Sequence, residues 1–138
     1  MEKRVLSNGV EIPAIGLGVY LSPEGQATAD SVRWAVEAGY RHIDAAAVYG
    51  NECSVGEGIK TCGIPRDQLF LTSKLWNDDI RKGRALDAFK ESLERLGTDY
   101  LDLYLIHWPA DGHVKAWHVL EELYQTGAVR AIGVSNYH

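Results

Sequence analysis

The sequence predicts an α/β protein: a parallel sheet of the (β/α) barrel kind, present as its first five strands after an N-terminal β-hairpin. Three observations point there. Five short apolar runs, at 14–17, 41–45, 69–73, 100–106 and 129–134, are rich in Ile, Leu, Val or Tyr and barely alternate, as strands covered on both faces do. Helical patterns separate these runs. The strand starts recur roughly every 26–32 residues, the length of one β-loop-α-loop unit.

Taken in order, residues 5–12 alternate around Asn8-Gly9 and read as a hairpin with a two-residue turn. The first run leads into Gly16-Leu17-Gly18. A doubly wound dinucleotide-binding sheet would need a third glycine after this pair, and Val19-Tyr20-Leu21 follows instead, which favours the barrel. Val32, Ala35 and Val36 share a helical face ahead of Gly39. Residues 51–62 form a weaker helical pattern, because Gly56 and Gly58 interrupt it. Leu86, Phe89, Leu93 and Leu96 make the next stripe, with Glu91 four residues ahead of Arg95 and Gly97 as the stop. Val114, Trp117, Leu120 and Leu123 make the last, ended by Gly127.

The 138 residues read as a single domain, 1–138, large enough to bury a core without a disulfide or metal staple. With 46 % apolar and 24 % charged residues, the balance is that of a globular domain rather than a disordered segment. A net charge of −5 argues against nucleic acid or an anionic membrane as partner. No run approaches the roughly 18 apolar residues of a membrane span. The first nine residues show no signal-peptide core, and two cysteines, Cys53 and Cys62, are too few for a disulfide framework. The expectation is a cytoplasmic protein with reduced thiols.

In a parallel barrel the chemistry gathers where strands end. Those positions hold Asp44 with Tyr49 in the loop beyond it, Ser73-Lys74 followed by Trp76, His107-Trp108, and Ser135-Asn136. Each residue has a structural role available: helix capping for Asp44, loop packing for Tyr49, a satisfied core position for His107. Lys74 breaks a buried run and is costly there unless paired. Four complementary types at one end of three strands point instead to proton transfer, since a nearby ammonium stabilises a phenolate and a carboxylate holds the ammonium in place. His42, Asp44, Cys53 and His107 offer no third metal ligand at recognisable spacing, so no metal is expected. Arg81, Lys82 and Arg84 read as a solvated basic loop.

The motifs Gly39-Tyr40-Arg41-His42-Ile43-Asp44-Ala45-Ala46, Tyr49-Gly50-Asn51-Glu52 and Val55-Gly56 resemble the first signature of the aldo-keto reductases. Leu71-Thr72-Ser73-Lys74-Leu75-Trp76, residues 99–109 and residues 129–136 resemble that family's third-, fourth- and fifth-strand motifs. The likeness runs over essentially the whole chain and is nearest to the short bacterial branch that includes the 2,5-diketo-gluconate reductases. It implies a (β/α)8 TIM-barrel fold and NADPH-dependent reduction of small aldehydes, ketones or sugar-derived carbonyls.

Carried over by position, Asp44, Tyr49, Lys74 and His107 match the catalytic four. Tyr49 is implied as general acid, Lys74 and Asp44 as its tuning pair, and His107 as a donor that orients the carbonyl. Gly18, Val19, Asp44, Ser135 and Asn136 match cofactor-binding positions. Tyr20, Trp76 and Trp108 match the aromatic lining of the substrate pocket. Family members are about twice this length, so the adenosine-phosphate half of the cofactor site would come from later strands. Five strands alone leave two unpaired sheet edges. The expectations are self-association through those edges or membership of a longer product, and the functional alternative is a silent half-barrel module.

Overall fold

The structure, a computed structural model, describes residues 2–137. An antiparallel hairpin of β1 (Lys3–Val5) and β2 (Glu11–Pro13) precedes a parallel sheet. Its strands are β3 (Leu17–Gly18), β4 (His42–Asp44), β5 (Phe70–Leu75), β6 (Leu101–Ile106) and β7 (Val129–Val134), paired in chain order. The crossovers carry α1 (Gln26–Glu37), α2 (Glu52–Thr61), α3 (Asn77–Arg81), α4 (Ala85–Leu96) and α5 (His113–Gln125). This is the parallel architecture the sequence predicts.

Alternation along the central strands sorts the side chains onto two faces. On β5, Ser73 reaches back to α2 while Lys74 reaches Asp44 of β4. On β6, Tyr104 is wholly buried and packs edge-on against Phe89 of α4, ring centroids 5.1 Å apart. The core lies between this outer sheet face and the helices and includes Leu71, Leu75, Val55, Leu96 and Leu120. All six residues of β5 are buried, which explains why its sequence barely alternates.

Several local expectations are corrected. The hairpin closes through three residues, not two: Gly9 N–H bonds Leu6 O at 2.9 Å, and Leu6 N–H bonds Val10 O at 2.8 Å. Gly9 has φ 87° but Asn8 does not share its left-handed backbone, and a two-residue primed turn needs both. Asn8 instead accepts Val10 N–H through Oδ1 and donates to Arg130 O on β7 at 3.0 Å, laying the hairpin tip on the edge strand.

The first parallel strand is Leu17–Gly18 rather than 14–17. Ala14 N–H is taken by Glu2 O, and Gly16 passes so close to His42 that an added Cβ would sit 2.7 Å from its Nδ1. The third strand extends one residue further, through Leu75, so Lys74 is its next-to-last residue rather than its last. Leu86 and Val114, assigned to apolar stripes, are 43 % and 60 % exposed; Ala85, Ala88 and Ala116 face inward instead. The pairing of Glu91 with Arg95 does not form. Glu91 pairs with Arg84, and Arg95 turns to the buried Glu52.

The glycines that weakened the pattern over 51–62 are what let α2 dock. A Cβ on Gly56 would meet Leu96 O at 2.6 Å and Arg95 O at 2.7 Å; one on Gly58 would meet Val32 Cβ at 2.6 Å. Helix propensity favours Ala over Gly by up to about 1 kcal/mol, but overpacking against a backbone costs about 1–3 kcal/mol. Gly56→Ala is therefore expected to destabilise the chain, by about 1–2 kcal/mol in a urea melt. A midpoint at or above wild type would show that α2 is free to shift.

Candidate active site

The four candidate side chains meet at the C-terminal ends of β4, β5 and β6. Asp44 closes β4, and the chain then turns through a short 3-10 turn, Ala47–Tyr49, that swings Tyr49 back over the sheet. Lys74 is 6 % exposed. Its Nζ lies 2.6 Å from Asp44 Oδ1, 3.0 Å from Ala45 O and 3.4 Å from the Tyr49 hydroxyl. An ammonium so deeply placed needs these partners, and they hold it between carboxylate and phenol. His107 follows β6 directly, its N–H bonded to Leu75 O at 3.1 Å, and its ring stands edge-on to Tyr49 at 5.7 Å.

Burial lowers the His107 pKa, and the Lys74 ammonium lowers it further against a smaller opposing pull from Asp44. The imidazole is thus neutral at pH 7 and carries one N–H to donate. Its Nδ1 is buried with no partner among the described residues. His42, on the same strand as Asp44, is also lowered, chiefly by burial, and bonds Thr72 Oγ1 through Nε2 at 2.9 Å.

Both histidines bind protons more readily unfolded, so acid pulls the equilibrium toward the unfolded chain. Their contribution is complete above about pH 6.5 and fades as pH falls below it. The melting temperature is expected to drop between pH 7 and 5, and His42→Gln to drop less steeply. Parallel slopes for the two proteins in circular dichroism melts would remove His42 from this account.

Three aromatic side chains surround the centre. Tyr20, 69 % exposed, lies 5.3 Å from the Tyr49 ring; Trp76 lies edge-on 5.4 Å from His107, and Trp108 stacks on the imidazole at 6.4 Å. Gly18 ends β3 beside Asp44, and a Cβ there would meet nothing within 4 Å, so the rim is open at this point. Val19 is buried, with its carbonyl taken by Asn51 Nδ2. Ser135 N–H bonds Ile106 O, and Asn136, in left-handed backbone at φ 63°, donates from Nδ2 to His107 O and to Ser135 Oγ. The structure thus gathers Asp44, Tyr49, Lys74 and His107 in one cluster, flanked by Gly18 on one side and Ser135 and Asn136 on the other.

Sequence reasoning gave no separate role to the two residues after Gly50. Asn51 is fully buried and its amide donates to Val19 O and Ser22 O, either side of Tyr20 and Leu21. Glu52 is 1 % exposed and accepts from Ser73 Oγ, Ser92 Oγ and Arg95. A carboxylate at the start of a helix looks like ordinary dipole compensation, and nothing in the sequence marked its partners. Arg81 and Arg84 are largely spent on Asp78, Asp79 and Glu91.

Five parallel strands paired in chain order, with helices in the crossovers, are the opening portion of a (β/α)-barrel fold. The aldo/keto reductase family model matches residues 14–138, and the chain belongs to that family. It is 54 % identical over 133 residues to glyoxal reductase of Bacillus subtilis, covering 96 % of this chain and 48 % of that protein. It is 52 % identical over 133 residues to 9,11-endoperoxide prostaglandin H2 reductase of Trypanosoma cruzi, covering 96 % and 47 %. An aldo/keto reductase structure from Brucella melitensis matches with a TM-score of 0.94 at 45 % identity, over 99 % of this chain and 53 % of that one. The Bombyx mori aldo-keto reductase, solved in complex with NADP, matches with a TM-score of 0.85 at 38 % identity, over 96 % and 50 %. The chain spans about half the length of the curated relatives it matches. Among the described residues no helix is long and apolar enough to cross a membrane.

Proposed function

We propose that this chain carries the catalytic centre of an NADPH-dependent reductase that converts small aldehydes, ketones or sugar-derived carbonyls to alcohols. The observation that carries the reading is the Lys74 ammonium, 2.6 Å from Asp44 and 3.4 Å from the Tyr49 hydroxyl, with His107 beside it. A reduced nicotinamide held beside Ser135 and Asn136 would supply a hydride to the carbonyl carbon. As the C=O π bond breaks, charge builds on the oxygen, and Tyr49 protonates it to complete the alcohol. Lys74, held by Asp44, stabilises the phenolate left behind. His107, neutral, donates its N–H to the same oxygen and orients the carbonyl. The 3.4 Å contact is long for a hydrogen bond, as catalytic contacts often are before substrate binds.

The residues at the rim suit a nicotinamide. With Asn136 Nδ2 occupied by His107 O, the amide oxygen of Asn136 and the hydroxyl of Ser135 remain to bond a carboxamide, one accepting and one donating. Gly18 leaves space beside Asp44. Tyr20, Trp76 and Trp108 would form the walls for the substrate. We place the protein in the cytoplasm, with small carbonyl compounds as its partners and no role for nucleic acid. A second copy could associate through the edges of β3 and β7.

The test is oxidation of NADPH by the 138-residue chain with a panel of small aldehydes, followed by loss of the reduced-nicotinamide absorbance, with 4-deuterated NADPH to place the label. Label at the alcohol carbon is the expected result. No turnover across the panel would favour a silent half-barrel.

A further inference from the structure

We propose that Glu52 is a positioning residue for this site, clamping the loop that carries Tyr49 to the strand that carries Lys74. The inference rests on the carbonyl-reduction reading above. Tyr49 and Lys74 come from different crossover units, 25 residues apart, and must be held together at 3.4 Å. Glu52 stands three residues beyond Tyr49, as the first residue of α2. Its Oε2 accepts from Ser73 Oγ at 2.8 Å, and Ser73 directly precedes Lys74 on β5. Because strand side chains alternate, Ser73 points to the helix side while Lys74 points to the site. One carboxylate behind the sheet therefore ties the Tyr49 segment to the backbone that aims Lys74.

The rest of the carboxylate is braced from α4. Oε1 accepts from Ser92 Oγ at 3.1 Å and from Arg95 Nε at 2.9 Å. A buried charge is costly unless such partners satisfy it, and here every partner is a side chain on a neighbouring element. Glu52 touches neither Tyr49 nor Lys74 in the hydrogen bonds described, so its action is through the backbone on either side. The two serines separate positioning from plain stability. Each gives one hydroxyl to the same carboxylate, but Ser73 adjoins Lys74 and Ser92 lies on α4.

The experiment labels tyrosine at ring Cζ in the full 138-residue chain, assigns the Tyr49 resonance by its loss in Tyr49→Phe, and compares Ser73→Ala, Ser92→Ala and Glu52→Gln with wild type. The Tyr49 resonance is expected to move in Ser73→Ala and Glu52→Gln and to stay in place in Ser92→Ala, although the two serine variants lose similar thermal stability. In turnover, kcat should fall about tenfold or more in Ser73→Ala with KM little changed, because a misplacement of about 1 Å can cost up to about a hundredfold. Ser92→Ala should keep the wild-type kcat. A Tyr49 resonance unmoved in Ser73→Ala, or moved equally in both serine variants, would overturn the proposal. Absence of turnover in wild type would count against the reductase reading alone, since the resonance comparison needs no turnover.

Discussion

Turnover of a small aldehyde is expected to fall about 10²–10⁴-fold in Tyr49→Phe, the range a positioned general acid contributes. The substitution removes one oxygen and keeps the ring, so packing against Tyr20 at 5.3 Å and His107 at 5.7 Å is preserved. Lys74 retains Asp44 and Ala45 O, so its charge stays satisfied and the fold is undisturbed. The loss should therefore appear in kcat, with substrate and cofactor binding little altered. Steady-state kinetics with matched melting curves would check this. A Phe variant that turns over at the wild-type rate would assign proton donation elsewhere, and His107 would be the residue to replace next.

A second large effect is expected far from the site. Asp102, 1 % exposed, accepts Leu71 N–H at 2.8 Å and pairs with Arg66 at 2.8 Å and Arg130 at 2.9 Å. One carboxylate thus joins β5, β6, β7 and the loop before β5. Asp102→Ala would strand a buried backbone N–H and leave two guanidinium groups without their anion, a loss of about 3–5 kcal/mol. The outer Arg130 is 48 % exposed and solvent will recover part of its share, so the lower end of that range is the better expectation. The urea midpoint reads this directly. Asp102→Asn keeps an acceptor for Leu71 N–H and should fall between the two. An unchanged midpoint in Asp102→Ala would mean that the network adds nothing to stability.

Asp102 and Glu52 also show where sequence reading stops. Asp102 interrupts an apolar strand and Glu52 opens a helix, and the partners of both lie 21 to 43 residues away. A helix partner at i+4 is visible in sequence, which is why Arg95 was matched with Glu91; its actual partner, Glu52, is reached only when α2 lies against α4. The same holds for Gly56 and Gly58. In sequence they weaken a helix, and in the fold their missing side chains are the space into which neighbouring helices pack.

By itself the sequence determined the parallel α/β class, the order of the strands and the family, because strand apolarity, helical period and local motifs are carried by neighbouring residues. It also singled out Asp44, Tyr49, Lys74 and His107 by type and by place along the chain. Tertiary structure alone decided that the Lys74 ammonium lies between Asp44 and Tyr49, that His107 is buried enough to stay neutral, and that Ser73 and Lys74 sit inside β5 facing opposite ways. It alone brought Glu52 to Ser73 and Asn51 to the loop carrying Tyr20. The physical reason is range. Hydrogen bonds and burial depend on which elements pack together, and packing is settled by the whole chain rather than by any window of it.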